Sequence, residues 1–160
     1  MKYFIAGIPG TAKTTIGNLL SKTHGFKHLD MEDGIHIHKL LSNKESFIKE
    51  MIEEKENIVI TWGFPVCVEF IDTVVQLKNG GYKLIWMDGD RCGAFRSFVI
   101  REKNEHPERL VESINAFEKQ IHNIDSFKLV SQINPIVINP FNEKNEYKSM
   151  DDVIIEIKKA

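Results

Sequence analysis

Cysteine is scarce in this chain of 160 residues: Cys67 and Cys92 are the two it has, they lie 25 positions apart, and neither forms a CxxC pair. That excludes the zinc-ribbon, thioredoxin-type and disulfide-scaffold readings together, and a reduced, cytoplasmic setting is expected. Charge of one sign is lacking too. Lys and Arg number 21 against 23 Asp and Glu, a net of -2, so no overall field gathers nucleic acid or an anionic membrane, and any anion site must be local. Long apolar runs are missing. The longest uncharged stretch, Ile58 to Val68, falls short of the ~20 residues of a membrane span and contains Gly63 and Pro65. Pro9, Gly10 and Lys13 interrupt the N-terminal apolar run too early for a secretory signal, so no membrane association and no targeting segment are expected. The histidines form no HExxH, and His36 and His38, two apart, would point about 200° apart on a helix. No Ser-His-Asp or Cys-His arrangement emerges.

What is present is an alternation. With 42% apolar residues, the length predicts one domain over residues 1–160. Strands are predicted at Lys2 to Ala6, Phe26 to Leu29, Ile58 to Thr61, Lys83 to Met87 and Pro135 to Ile138. Between them helical spacing predicts Thr14 to Ser21, two short helices from Ile35 with Ser42 and Glu45 as a capping box, and a helix opened by Pro65 and stopped by Gly80 and Gly81. Further helices are predicted at Ala94 to Arg101 and Pro107 to Ile124, and a last one is capped by Ser149 with Asp152. Strands alternating with helices predict a three-layer α/β/α sandwich around a five-stranded, mainly parallel sheet, with ligands at the carboxyl ends of the strands.

The chemistry-bearing residues fall at those ends. Gly7-Ile8-Pro9-Gly10-Thr11-Ala12-Lys13-Thr14 matches the phosphate-binding loop G-x-x-x-x-G-K-[ST] except at Ala12, where the pattern has glycine. A strand precedes the loop and a helix follows, so backbone N–H groups from Gly7 through Thr15 can surround phosphate oxygens. Lys13 would neutralise β- and γ-phosphates and the Thr14 hydroxyl would ligate Mg²⁺. If the backbone at residue 12 needs a positive φ, alanine is strained there; if it needs helical angles, alanine is harmless.

With this loop in place the chain resembles the P-loop small-molecule kinases, the group containing adenylate, shikimate and gluconate kinases, in the order of its elements over nearly its whole length. His28-Leu29-Asp30-Met31-Glu32-Asp33 is similar to the acidic D-x-D turn of shikimate and gluconate kinases, with Glu32 in place of the second Asp. The resemblance implies that Asp30 holds Mg²⁺ or takes the acceptor's proton and that Glu32 or Asp33 faces the acceptor; capping of the next helix is the other reading of these acids. Trp62-Gly63-Phe64-Pro65 is similar to the Asp-Gly-Phe-Pro-Arg turn of adenylate kinases, with Trp62 for the Asp and Val66 for the Arg. Trp62, Gly63 and Phe64 are thereby expected at the acceptor, with core packing the competing role for Trp62.

The resemblance also implies that Arg96 and Arg101, after Asp88-Gly89-Asp90-Arg91, stabilise charge on the transferring phosphoryl group, and that residues 101–109 form a short lid. Asn139 and Pro140 occupy the place where the family packs the adenine base. The expected activity is ATP- and Mg²⁺-dependent transfer of the γ-phosphate to a small-molecule, nucleoside or nucleotide acceptor. The alternatives are a polynucleotide 5′-hydroxyl kinase, which usually needs a basic groove, and a nucleotide-binding module without phosphotransfer.

Overall fold

A computed structural model describes residues 1–63, 70–126 and 128–160. Five strands, β1 (Lys2–Gly7), β2 (Lys27–Asp30), β3 (Ile58–Trp62), β4 (Lys83–Met87) and β5 (Ile136–Ile138), form one sheet in the order β2-β3-β1-β4-β5. Each neighbouring pair is parallel, with Ala6 opposite Trp62 on one side and Trp86 on the other. Parallel pairing requires a crossover after each strand, and helices supply it. They are α1 (Lys13–His24), α2 (Ile35–Ser42), α3 (Lys44–Glu53), α4 (Ile71–Asn79), α5 (Arg91–Glu105), α6 (Leu110–Ser126), α7 (Leu129–Ile133) and α8 (Met150–Lys159), with a 3₁₀ turn at Pro107–Arg109.

The period-two alternation of the strands gives the sheet two apolar faces. Phe4 and Ala6 of β1 join Leu40, Phe47, Val74 and Leu77 of α2, α3 and α4 in one core; Tyr3 and Ile5 join Ile16, Leu20, Val153 and Ile157 of α1 and α8 in the other. Helices on both faces make the three-layer α/β/α sandwich that the alternation predicts.

Four local expectations change. Ser42 is the last residue of α2 and does not cap α3; Asn43 does, accepting the Ser46 N–H at 3.0 Å, because the chain between the two helices turns within a single residue. Helix α5 begins earlier than Ala94, at Arg91, because the Asp90 carboxylate accepts the Cys92 N–H at 2.9 Å. It also continues through Glu105, so residues 101–105 are its last turn and not a loop. The short helix α7 has no counterpart among the predicted elements. The start of the fourth helix at Pro65 lies outside the described residues. Ser149 caps α8 as expected, accepting the Asp152 N–H at 3.1 Å.

Candidate active site

The loop between β1 and α1 closes on the carboxyl end of the sheet, and one backbone carbonyl organises it. Ile8 O accepts the Thr11 hydroxyl at 2.8 Å and the Lys13 ammonium at 2.9 Å. Thr11 is fully buried and Lys13 is 8% exposed. Burial pushes the Lys13 pKa down to about 8, against the opposing pull of the Glu32 carboxylate. A lysine held this far from water is poised to gain from an incoming anion.

Gly10, at φ 76°, lets the loop approach α5 closely, since a Cβ there would run into the Ala94 carbonyl. Ala12 sits at φ 61°, ψ 25°, the left-handed region, which decides the question left open by its sequence: alanine is strained at this position. Ala12 begins α1 without any side-chain cap, so the first-turn N–H groups are left for an anion at the positive end of the helix.

Beside the loop, the Thr14 hydroxyl donates to Asp30 Oδ2 at 2.9 Å, and Asp30 Oδ1 accepts the Glu32 N–H at 3.0 Å. Thr14 and Asp30 bring two hard oxygen ligands together at the end of β2. Such a pair suits Mg²⁺, which keeps several waters and takes one or two protein oxygens plus phosphate. Among the described residues no group of three or more His, Cys, Asp or Glu side chains could hold a metal by itself.

A cavity of about 530 Å³ opens over the loop, lined on one side by Pro9, Ala12, Lys13 and Thr14 and on the other by Glu32, Trp62, Gly63 and residues of α6. Glu32 leans across Gly63, whose missing side chain makes the room: a Cβ would meet Glu32 Oε1. Trp62 is 6% exposed and packs edge-on against Phe4 and Phe70, so core packing holds it while one edge borders the cavity. Asp33 is drawn away as a cap, its Oδ1 accepting the Ile35 and His36 N–H groups at 3.0 and 3.3 Å. Phe64 lies outside the described residues.

The three arginines of α5 separate as their five-residue spacing requires. Arg101 borders the cavity, forks onto Glu102 at 2.8 and 3.1 Å and lies 5.4 Å from the Phe98 ring centre. Burial would raise the Glu102 pKa, but hydrogen bonds from Arg101 and Ser113 outweigh it and hold the carboxyl below its usual range. Arg96 donates to the Asn145 carbonyl and does not line the cavity. Arg91 pairs with Asp125 at 2.7 Å and Asp88 at 3.4 Å, fastening the end of α6 to the end of β4.

On the far side of Ala12 a second recess, about 440 Å³, is bordered by Gly10, Thr15, Ile100, Arg101, Tyr147 and Met150. Asn139 accepts the Phe141 N–H at 2.9 Å and Pro140 O accepts the Lys148 N–H at 2.9 Å, so both shape the loop that carries Tyr147 and neither lines the recess. Tyr147 stacks on Phe141 at 4.9 Å and its hydroxyl donates to Gly10 O.

The same sandwich, with helices on both sides of a parallel sheet, occurs in solved structures along nearly the whole chain. A shikimate kinase from Acinetobacter baumannii in complex with shikimate superposes with a TM-score of 0.63 at 13% identity, covering 98% of this chain and 90% of that one. A shikimate kinase from Bacteroides thetaiotaomicron gives 0.60 at 14%, covering 99% and 96%. A gluconokinase from Sinorhizobium meliloti 1021 gives 0.53 at 12%, covering 97% and 88%. The chain has the fold of these P-loop kinases. In sequence it is 30% identical over 134 residues to a Methanocaldococcus jannaschii protein named "Putative adenylate kinase", with 72% of this chain and 66% of that protein matched. The chain thus spans just under two thirds of that relative's length. No protein-family model matches the sequence.

Within this P-loop kinase fold, sequence reasoning missed the cavity wall contributed by α6. Ala116, Lys119, Gln120 and Asn123 line it, and Gln120 donates to the Gly63 carbonyl. Their spacing is the polar complement of Phe117, Ile121 and Ile124, and a polar stripe reads the same in sequence whether it faces solvent or a cavity. Tyr147 was missed too, because its loop has no periodic pattern.

Proposed function

We propose that the protein transfers the γ-phosphoryl group of ATP to a hydroxyl of a small acceptor, with Mg²⁺ as the nucleotide's counterion. The observation that carries this is the loop itself: a buried lysine with a depressed pKa beside the uncapped start of α1, with Thr14 hydrogen-bonded to Asp30. The names of the similar proteins, all kinases, support the reaction class.

In this reading the nucleoside takes the recess bordered by Ile100, Tyr147 and Met150, and its phosphates run past Ala12 to Lys13. Lys13 exchanges Ile8 O for phosphate oxygens, whose negative charge favours its ammonium form. Thr14 and Asp30 would hold Mg²⁺, which when bound would supply charge neutralisation of the departing diphosphate. Arg101 reaches the transferring phosphoryl group from α5. Asp30, already hydrogen-bonded by Thr14, is a positioning group, and Glu32 is the carboxylate that faces the acceptor.

The acceptor oxygen forms a bond to the γ-phosphorus as the bond to the bridging oxygen of the diphosphate breaks, its electrons leaving with ADP. The hydroxyl proton passes to the Glu32 carboxylate and from there to water. Catalysis in such a site is positioning plus electrostatics, which the loop, Asp30 and Arg101 supply. Calorimetric titration with ATP tests the donor side, with binding expected in the wild type and lost in Lys13→Met. Coupled ADP release across acceptors tests transfer; absence of ATP binding at millimolar concentration overturns the reading.

A further inference from the structure

We propose that Glu102 is a positioning residue: it aims the Arg101 guanidinium at the γ-phosphate of a bound nucleotide. The proposal rests on the phosphotransfer reading and names the device that holds one of its residues in place.

The placement of Arg101 begins at the phosphate loop. Gly10 lies so close to α5 that a Cβ there would meet the Ala94 carbonyl and Phe98 Cβ, so the loop and this stretch of the helix keep one spacing. Arg101 follows Phe98 by three residues, on the same face of α5. Its guanidinium carbon lies 5.4 Å from the centre of the Phe98 ring, which in turn packs on Phe117 of α6 at 5.1 Å. From there Arg101 borders both the cavity over Lys13 and Thr14 and the recess on the far side of Ala12. Burial is the main cause of the low Lys13 pKa and the Arg101 charge adds to it, so the two cations bear on the same space.

Repulsion from Lys13 and the loss of rotamer freedom both favour an arginine that swings out into water. Glu102 opposes them. Its Oε1 accepts Arg101 Nη2 at 2.8 Å and Nε at 3.1 Å, while its Oε2 accepts the Ser113 hydroxyl of α6 at 2.9 Å. Ser113 thereby fixes the carboxylate, and the carboxylate fixes the guanidinium. Among the described residues Arg101 has no other hydrogen-bond acceptor, so three of its five N–H donors are left for phosphate oxygens.

A carboxylate is a poor choice for merely joining α5 to α6. Glu102 is 7% exposed, and burial works against its charge. The two helices are already joined by Phe95 and Phe98 on Phe117 and by Arg91 on Asp125. An apolar side chain would fill the same space without a buried charge, but it could not orient a guanidinium.

Calorimetry on the full chain with Mg²⁺ tests this through two probes, ADP and the imido analogue of ATP, whose affinities differ by what the γ-phosphate contributes. The wild type is expected to prefer the analogue, and Arg101→Ala and Glu102→Leu are each expected to cut that preference by about tenfold. A merely structural Glu102 would weaken both nucleotides alike, or neither. In the Arg101→Ala background Glu102→Leu should change the preference no further, because it acts through the guanidinium. Glu102→Gln should stay within about threefold of the wild type, since its amide oxygen still accepts from Arg101 and Ser113 can accept from its nitrogen. Ser113→Ala, which removes only the anchoring hydroxyl, should lower the preference in the same direction and serves where Glu102→Leu does not fold. The proposal is overturned by a wild type without the preference, by Glu102→Leu that keeps it or weakens both probes alike, by a further loss in the double variant, or by Glu102→Gln as impaired as Glu102→Leu. A wild type that binds neither nucleotide removes the phosphotransfer reading itself, whereas one that binds both and shows any of those results removes only the role of Glu102.

Discussion

The two halves of the site are built on different terms. The phosphate half is backbone: Gly10 pressed against the Ala94 carbonyl, Ala12 held at φ 61°, and Ile8 O receiving both Thr11 and Lys13. The acceptor half is side chains on separate elements, Glu32 after β2, Trp62 and Gly63 at the end of β3, and Lys119, Gln120 and Asn123 on α6. A triphosphate is the same in every reaction, so a rigid cradle suits it and its spacing is written in one continuous segment. An acceptor differs from enzyme to enzyme, and side chains on well-separated elements can be exchanged without rebuilding the sheet. Changes in the first half should therefore abolish function, and changes in the second should redirect or weaken it.

The largest effect is expected for Lys13→Met, which should remove measurable phosphotransfer and weaken ATP binding by at least about 100-fold, since several charge-assisted hydrogen bonds go with the ammonium. The same change should stabilise the ligand-free fold. Burial holds the Lys13 pKa at about 8, below the 10.5 of the unfolded chain, so its charge costs the native state roughly 3 kcal/mol at neutral pH. Below about pH 8 the lysine is charged in both states and this cost is fully present; between about 8 and 10.5 the unfolded state binds the extra proton and native stability rises. Denaturant titrations of wild type and Lys13→Met at pH 7 and pH 10 check the sign. The variant should lead at pH 7, and the gap should close at pH 10.

Asp30→Asn sits on the border between the halves and should lower turnover by about 10² while moving ATP affinity only a few fold, because charge lost beside the departing phosphates counts most in the transition state. The asparagine oxygen can keep the Glu32 N–H, and the Thr14 hydroxyl can turn to accept from the new amide, so the fold should hold. Steady-state kinetics at saturating ATP distinguish this from a purely structural cap, which would show lost stability with normal turnover per folded molecule.

The same division explains what the sequence makes legible. The loop is contiguous, so the phosphate-loop pattern over Gly7 to Thr15 is visible in one segment, and the strand and helix expected on either side of it are there. The strands came through because alternation and β-branched residues fix both faces of a buried sheet, and Lys83 to Met87 was placed to the residue. Helix ends were less legible where a single side chain decides them, as Asp90 does for α5 and Asn43 for α3. The α6 wall was invisible for a stronger reason. Which side of α6 meets the cavity depends on contacts distant in sequence, the burial of Phe117 and Ile124 in the core and the Arg91–Asp125 pair 34 positions apart, which no local pattern contains.

A test confined to the acceptor half is Gly63→Ala. The added methyl must displace the Glu32 carboxylate from the position it holds over the glycine. Acceptor-dependent turnover should fall by about tenfold, the cost of misplacing a reacting group by a fraction of an ångström to an ångström, with ATP affinity unchanged. Loss of ATP binding in parallel would show the halves to be mechanically joined and would break the comparison.

The smallest effect is expected at Ala12, and it sharpens the comparison most. In the left-handed region an L-residue carries about 1 to 2 kcal/mol that glycine does not, because its Cβ crowds the following carbonyl. Replacing alanine by glycine returns roughly 0.4 to 1 kcal/mol of conformational entropy to the unfolded chain, which opposes the gain. Ala12→Gly should therefore raise stability by on the order of 0.5 to 1 kcal/mol, read as a higher urea midpoint at unchanged m. Because Ala12 borders both recesses, its methyl lies beside the path the phosphates take between them, so ATP affinity should hold or improve when it is removed. Lower stability with unchanged m would mean that the loop relaxes away from φ 61° in solution, and a loss of ATP affinity without unfolding would mean that the methyl itself helps to seat the nucleotide. Either result would move Ala12 out of the rigid cradle and into the adaptable part of the site.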